Sequence, residues 1–177
     1  MALLALLGLF LGAPSSFAQE PVFTEYQVKA LFLLNFAKYV EWPADAFADA
    51  TVPITIGVVG EDRFDGKLKK AVTGKTVGGR AIVVRKVDSD DDLSKCHILY
   101  ISTPEGKQLA AVLGKVKSRP ILTVGESERF TQEGGVISFV KKDEKIRLEV
   151  DLTAARAARL QLSSKLLSVA DVVRGKP

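Results

Sequence analysis

Three short apolar runs limit the folds open to this chain more than any other feature: PITIGVV (53–59), CHILYI (96–101) and PILTV (120–124). None alternates apolar with polar residues, so each reads as a strand covered on both faces, as in the centre of a parallel sheet. Between them lie stretches of helical period. In 63–72, Phe64, Leu68, Ala71 and Val72 share a side. Residues 104–116 open on Pro104, where a first-turn proline is tolerated. A further strand, 81–87, follows the Gly78-Gly79 turn, and an acidic connection covers 88–94. This alternation predicts an α/β fold, a three-layer α/β/α sandwich with a mostly parallel sheet and right-handed crossovers. After a short helix over 127–132, two strands (136–140 and 145–150) flank a polar four-residue loop and predict an antiparallel C-terminal hairpin. Ile146, Leu148 and Val150 alternate there with Lys145, Arg147 and Glu149, so one face is wet. Residues 152–173 read as helical, with Ser163-Ser164 as the point where the helix would split.

The stretch YQVKALFLLNFAKYVEWP (26–43) predicts the first helix. Thr24 is a good N-cap and Gln27, three residues on, completes a capping box. The helix stops ahead of Pro43, because a residue before proline avoids the α region. Val28, Leu31, Phe32, Asn35, Phe36, Tyr39 and Val40 follow helical spacing, and Leu33, Leu34 and Ala37 widen the apolar arc. Two readings of this excess stand side by side. It is core, closed by a Trp-Pro stop. Alternatively it is a face kept for a partner, since aromatic residues anchor interfaces and a wide apolar arc calls for cover. Leu33, Phe36, Tyr39 and Trp42 are the contact candidates on that reading.

Residues 1–18 carry an apolar block, then Gly12, Pro14 and small residues ending at Ala18, although no Lys or Arg precedes the block. This is the pattern of a cleaved signal peptide, too short to span a bilayer. It leaves residues 19–177 as one domain, expected to be soluble. The net charge of +4 is scattered and interleaved with acids. A nucleic-acid-binding protein concentrates its basic residues, so no nucleic-acid partner is expected. The single cysteine, Cys96, forms no internal disulfide and reads as a small core residue. The single histidine, His97, reads as a hydrogen-bonded structural group. With one His and one Cys, no soft-ligand metal site, catalytic triad or cofactor is expected. The glycines at 57 and 60 form an incomplete nucleotide fingerprint. The crevice at the carboxyl ends of the strands remains. Its rim takes in Gly60, Glu61, Gly125 and the ligand candidates Ser102, Thr103 and Glu126.

The block NFAKYVEWP (35–43) resembles the opening motif of the YfiR-like family of bacterial periplasmic proteins. ITIGVVG (54–60), CHILYIS (96–102), ILTVGE (121–126), GGVI (134–137) and LSSKLLSVA (162–170) extend the resemblance in order over nearly the whole mature chain. It implies an α/β fold, a periplasmic location and a tendency to form homodimers. It also implies a regulator that is not an enzyme. Such a regulator binds and restrains the periplasmic sensor part of an inner-membrane diguanylate cyclase, in cyclic-di-GMP signalling. An OmpA-like outer-membrane lipoprotein is the second implied partner. Two departures stand out. The family's founding member carries several cysteines linked to redox sensing, whereas this chain has only Cys96, so that switch does not carry over. Asp151 stands where the family pattern leads one to expect Asn.

Overall fold

The computed structural model describes residues 23–102 and 107–175. The leader and Thr103 lie outside the described residues. In chain order the elements are α1 (Glu25–Tyr39), β1 (Val40–Glu41), β2 (Ile54–Gly60), α2 (Lys67–Val72), β3 (Thr76–Val77), β4 (Arg80–Val87) and β5 (Ile98–Ser102). They continue with α3 (Lys107–Val116), β6 (Leu122–Gly125), β7 (Ile137–Lys142), β8 (Lys145–Asp151), α4 (Leu152–Ala157), β9 (Gln161–Leu162), α5 (Ser164–Leu167) and β10 (Val172–Arg174).

Among the described residues, eight strands form one sheet in the order β10-β8-β7-β6-β5-β2-β4-β3. The five central strands, β4-β2-β5-β6-β7, are all parallel. Their order is that of a doubly wound sheet, and it reverses between β2 and β5, where Gly60 pairs with Ser102. The β7–β8 hairpin adds the antiparallel part. On one face Ile56, Val58, Ile98, Tyr100 and Leu122 meet Leu33, Leu34 and Phe36 of α1 and Leu68 of α2. On the other, Val59, Leu99 and Ile101 meet Leu109, Val112 and Val116 of α3. The three-layer α/β/α expectation holds, and the central runs lack alternation because both their faces are covered.

Helix α1 begins as its sequence predicts. Thr24 caps it, with the reciprocal Gln27 side-chain bond to the Thr24 N–H. Other local expectations are corrected. α2 starts only at Lys67, because Gly66 stands in the left-handed region at φ 73°. Residues 127–132 are successive turns rather than a helix. They drop the Phe130 ring between Gly125 and Gly135, where an added Cβ would come within 2.2 and 2.1 Å of ring carbons. The hairpin turn is the two residues Asp143 and Glu144, both at positive φ, which matches the twist of the paired strands. The long C-terminal helix does not exist. Arg159 at φ 57° follows the end of α4, Ser163 caps the short α5, and β10 joins the sheet parallel to β8. Two β-branched valines at 172 and 173 favour that last outcome. A two-residue ribbon, β1 with β9, pairs Val40 with Leu162 and ties the end of α1 to the C-terminal segment. Asp151 caps α4 by accepting from the N–H groups of Thr153 and Ala154. An Asn oxygen would accept the same bonds, so the departure from Asn leaves the geometry intact. Among the described residues no helix is long and apolar enough to cross a membrane.

Candidate functional site

α1 runs across one face of the sheet, from its carboxyl end to its amino end, and each end carries a cluster of polar and aromatic groups. At the carboxyl end Lys29 sits on the inward side of α1, four residues before Leu33, and it is buried. A buried ammonium must be paired. Its Nζ donates to Glu126 Oε2 and, at 2.6 Å, to Glu25 Oε1. It also lies 4.5 Å from the centre of the Tyr26 ring. The Tyr26 hydroxyl donates to Glu126 Oε1 at 3.2 Å, and Arg63 Nη1 donates to that same oxygen at 3.3 Å. Burial alone would pull Lys29 down, but its bonds to Glu126 and Glu25 outweigh that and hold its pKa above the usual lysine value. Burial likewise opposes ionisation of Glu126, and Lys29 outweighs it, so the carboxylate sits below its usual value. A cleft of about 210 Å³ opens here, walled by Tyr26, Lys29, Arg63, Glu126 and Phe139. Beneath it the buried Tyr100 hydroxyl faces Glu126; burial first, then that carboxylate, push its pKa up.

The amino end is built around His97, one residue ahead of β5 and buried. Its Nδ1 accepts from the Thr55 N–H at 3.1 Å, and Nε2 lies 3.2 Å from the Ala46 carbonyl. A backbone N–H only donates and a carbonyl only accepts, so the ring is neutral with its proton on Nε2. The ring stacks on Phe47 with centroids 4.3 Å apart, and the Arg80 guanidinium lies 3.9 Å from the centre of the Phe47 ring. Trp42 Nε1 donates to the His97 carbonyl at 3.2 Å. Burial holds the His97 pKa below 6.5. Both ring nitrogens thus serve the fold. Cys96 is also buried, which pushes its thiol up to about 11 and leaves it unreactive at neutral pH.

The residues singled out from the sequence fall in three environments. Leu33 and Phe36 are 0 % exposed, and this corrects their assignment to a contact face: they hold α1 to the sheet and cannot meet a partner. Tyr39 and Trp42 are half-buried at the far end of α1, with the Lys165 ammonium 5.0 Å from the Tyr39 ring. Glu126 lies in the ion cluster. Ser102 is buried near it at the end of β5, its Oγ without a partner among the described residues. The outward side of α1 carries Leu31, 42 % exposed, with Val28 and Phe32 half-buried and Phe23 just ahead of the helix at 55 %. Phe23, Val28 and Phe32 line a groove of about 450 Å³ with Ile146, Lys141 and Lys145 of the hairpin.

Sequence reasoning missed Lys29, Tyr26 and Arg63. The signal was present for Lys29, which falls on the same stripe as Leu33, Phe36 and Val40. A lysine there must find a buried counter-charge. Among the described residues no group of three His, Cys, Asp or Glu side chains is gathered as metal ligands.

Residues 26–171 match a family model described as YfiR/HmsC-like. No curated protein matches the chain. Among solved structures, a conserved domain protein from Vibrio cholerae is 14 % identical with a TM-score of 0.48. An ABC domain from Streptococcus pneumonia, solved in complex with L-Trp, is 12 % identical with a TM-score of 0.46. Each comparison covers 68 % of this chain and 55 % of the other, so this chain spans about half the length of each.

Proposed function

The chain belongs to the YfiR/HmsC-like family, and on that premise we propose that it is a periplasmic, non-catalytic regulator that restrains an inner-membrane diguanylate cyclase by binding that enzyme's periplasmic sensor part. Binding restrains the enzyme only through a higher affinity for its inactive state. The observation that carries this reading is the outward side of α1. A helix that has already buried Leu33, Leu34 and Phe36 still presents Leu31, Val28, Phe32 and Phe23 beside a groove. Exposed apolar groups gathered beside a groove mark a contact surface. Tyr39 and Trp42 extend this surface toward the amino end. An OmpA-like outer-membrane lipoprotein competing for the same surface would lift the restraint, and the regulator would act as a homodimer.

The test is Leu31→Glu. The side chain is exposed, so folding is preserved, while a charge in the contact surface weakens capture of the cyclase's periplasmic domain in a titration. Full binding by the variant would refute this placement of the surface. Failure of the unaltered protein to bind any such domain would refute the function.

A second reading, a receptor for a small ligand, is favoured by the buried Ser102 hydroxyl at the carboxyl end of the sheet, which has no partner among the described residues. It expects a rise in melting temperature with ligand, as binding to the native state requires. Glu126 is already engaged by Lys29, Tyr26 and Arg63, which leaves it little capacity for a further donor.

A further inference from the structure

The chain has one histidine and one tryptophan, and the fold places them against each other. His97 joins three separate segments. Its backbone N–H donates to Thr55 and its carbonyl accepts from Leu122, which fixes the ring at the start of β5 between β2 and β6. The ring then reaches out to Ala46, in the 3-10 turn Ala44–Ala46 that follows Trp42, and to Phe47, which caps that turn. We propose that His97 is a proton-operated latch, which fastens this turn beside Trp42 while neutral and releases it on protonation, uncovering the indole.

The geometry dictates the sign. A proton added to the ring goes to Nδ1, which faces the Thr55 N–H; two N–H groups then point at each other and the bond is lost. Among the described residues no carboxylate is placed to hold the resulting imidazolium. From β4, Arg80 acts on the ring as a second cation. From the turn, Asp45 is committed to Arg159 and Asp49 to Thr51. β2 offers the neutral Thr55. The imidazolium therefore destabilises the closed turn, and the ring leaves its place between Thr55 and Ala46. Phe47 loses its stacking partner in the same movement, and the Trp42 environment changes with it. The latch does not rest on the cyclase reading, although Trp42 lies at the end of the surface proposed there.

Two spectroscopic readings on the unaltered protein test this. The single imidazole gives one Cε1 proton resonance, and the single indole gives the whole tryptophan emission. Between pH 7.5 and 4.5 the resonance should titrate with a midpoint below 6.5. The emission should shift to the red, with a rise in acrylamide quenching at that same midpoint, while far-UV ellipticity holds. His97→Gln, neutral throughout, should abolish the emission step. The latch is overturned if the emission stays flat while the imidazole titrates, or moves at a different midpoint. It is also overturned if emission changes only together with loss of ellipticity, or persists in His97→Gln. Should that variant fail to fold, the agreement or disagreement of the two midpoints decides alone.

Discussion

The two ends of the sheet solve one problem in opposite ways. Each fastens α1 or its continuation to the strands through a buried polar side chain set among aromatic rings. At the carboxyl end the group is a charge, Lys29, bracketed by two carboxylates. At the amino end it is a neutral ring, His97, bracketed by backbone groups. The first clamp is held by ionisation and keeps its charges across the ordinary pH range. The second is held by the absence of ionisation, and a single proton is enough to undo it. A buried charge with dedicated counter-charges makes a permanent fastening; a buried neutral base without one makes a conditional fastening.

The sharpest way to break this contrast is to strip the counter-charge. Glu126→Ala leaves the buried Lys29 with Glu25 alone, and loss of a buried partner costs about 3–5 kcal/mol. The midpoint of urea denaturation should fall accordingly. The double change Lys29→Met with Glu126→Gln removes charge from both sides and should recover most of that loss, because a well-packed apolar replacement for a buried pair is often neutral. If the double variant is as unstable as the single one, charge burial is not what the cluster manages.

Next in size is the Phe130 pocket, which anchors the loop bearing Glu126. Gly125→Ala or Gly135→Ala forces the ring aside, and overpacking of this kind costs about 1–3 kcal/mol. The melting temperature should drop for both. An unchanged value would mean that the loop yields without strain.

A smaller effect separates the two ends by pH. The His97 pKa is depressed on folding, so its contribution is complete above the unfolded value of 6.5 and is lost as pH falls from there through the folded value. The Glu126 pKa is also depressed, so its contribution is complete above 4.5 and lost only as pH falls below that. Acidification should therefore loosen the amino end first. Amide hydrogen exchange at Phe47 and Thr55 should quicken at a pH where Lys29 and Ala30 stay protected. Simultaneous loosening of both ends would erase the distinction. The smallest effect on stability is that of Leu31→Glu, which should leave stability within about 0.5 kcal/mol as an exposed substitution does, while removing partner binding.

Much of the framework was legible because local chemistry determines it. Unbroken apolar runs mark strands with two covered faces, and Thr24 with Gln27 marks the start of α1. The orientation of α1 about its own axis was not legible. Leu31 stands on one side and Leu33 and Phe36 on another, with Phe32 between, so apolar spacing alone allows several faces to turn inward. A charge resolves it: Lys29 must reach Glu126, 97 positions along the chain, and that contact turns Leu33 and Phe36 into the core. The C-terminal segment misled for a related reason. Its leucines have helical spacing, but Arg159 in the left-handed region and the Ser163 cap interrupt the helix, and pairing with β8 takes the last valines into the sheet.

The ribbon joining Val40 to Leu162 bears on how the chain comes to be made. α1 belongs to the earliest part of the domain to leave the ribosome, yet its last turn is tied to Ser163, whose N–H donates to the Tyr39 carbonyl, and carries the Lys165 ammonium over the Tyr39 ring, both among the latest. Throughout synthesis the helix is left with sticky, uncovered flanks, the kind of surface on which chaperones act. A chain halted just short of residue 160 should partition to such helpers or to aggregates, and a chain released whole should not.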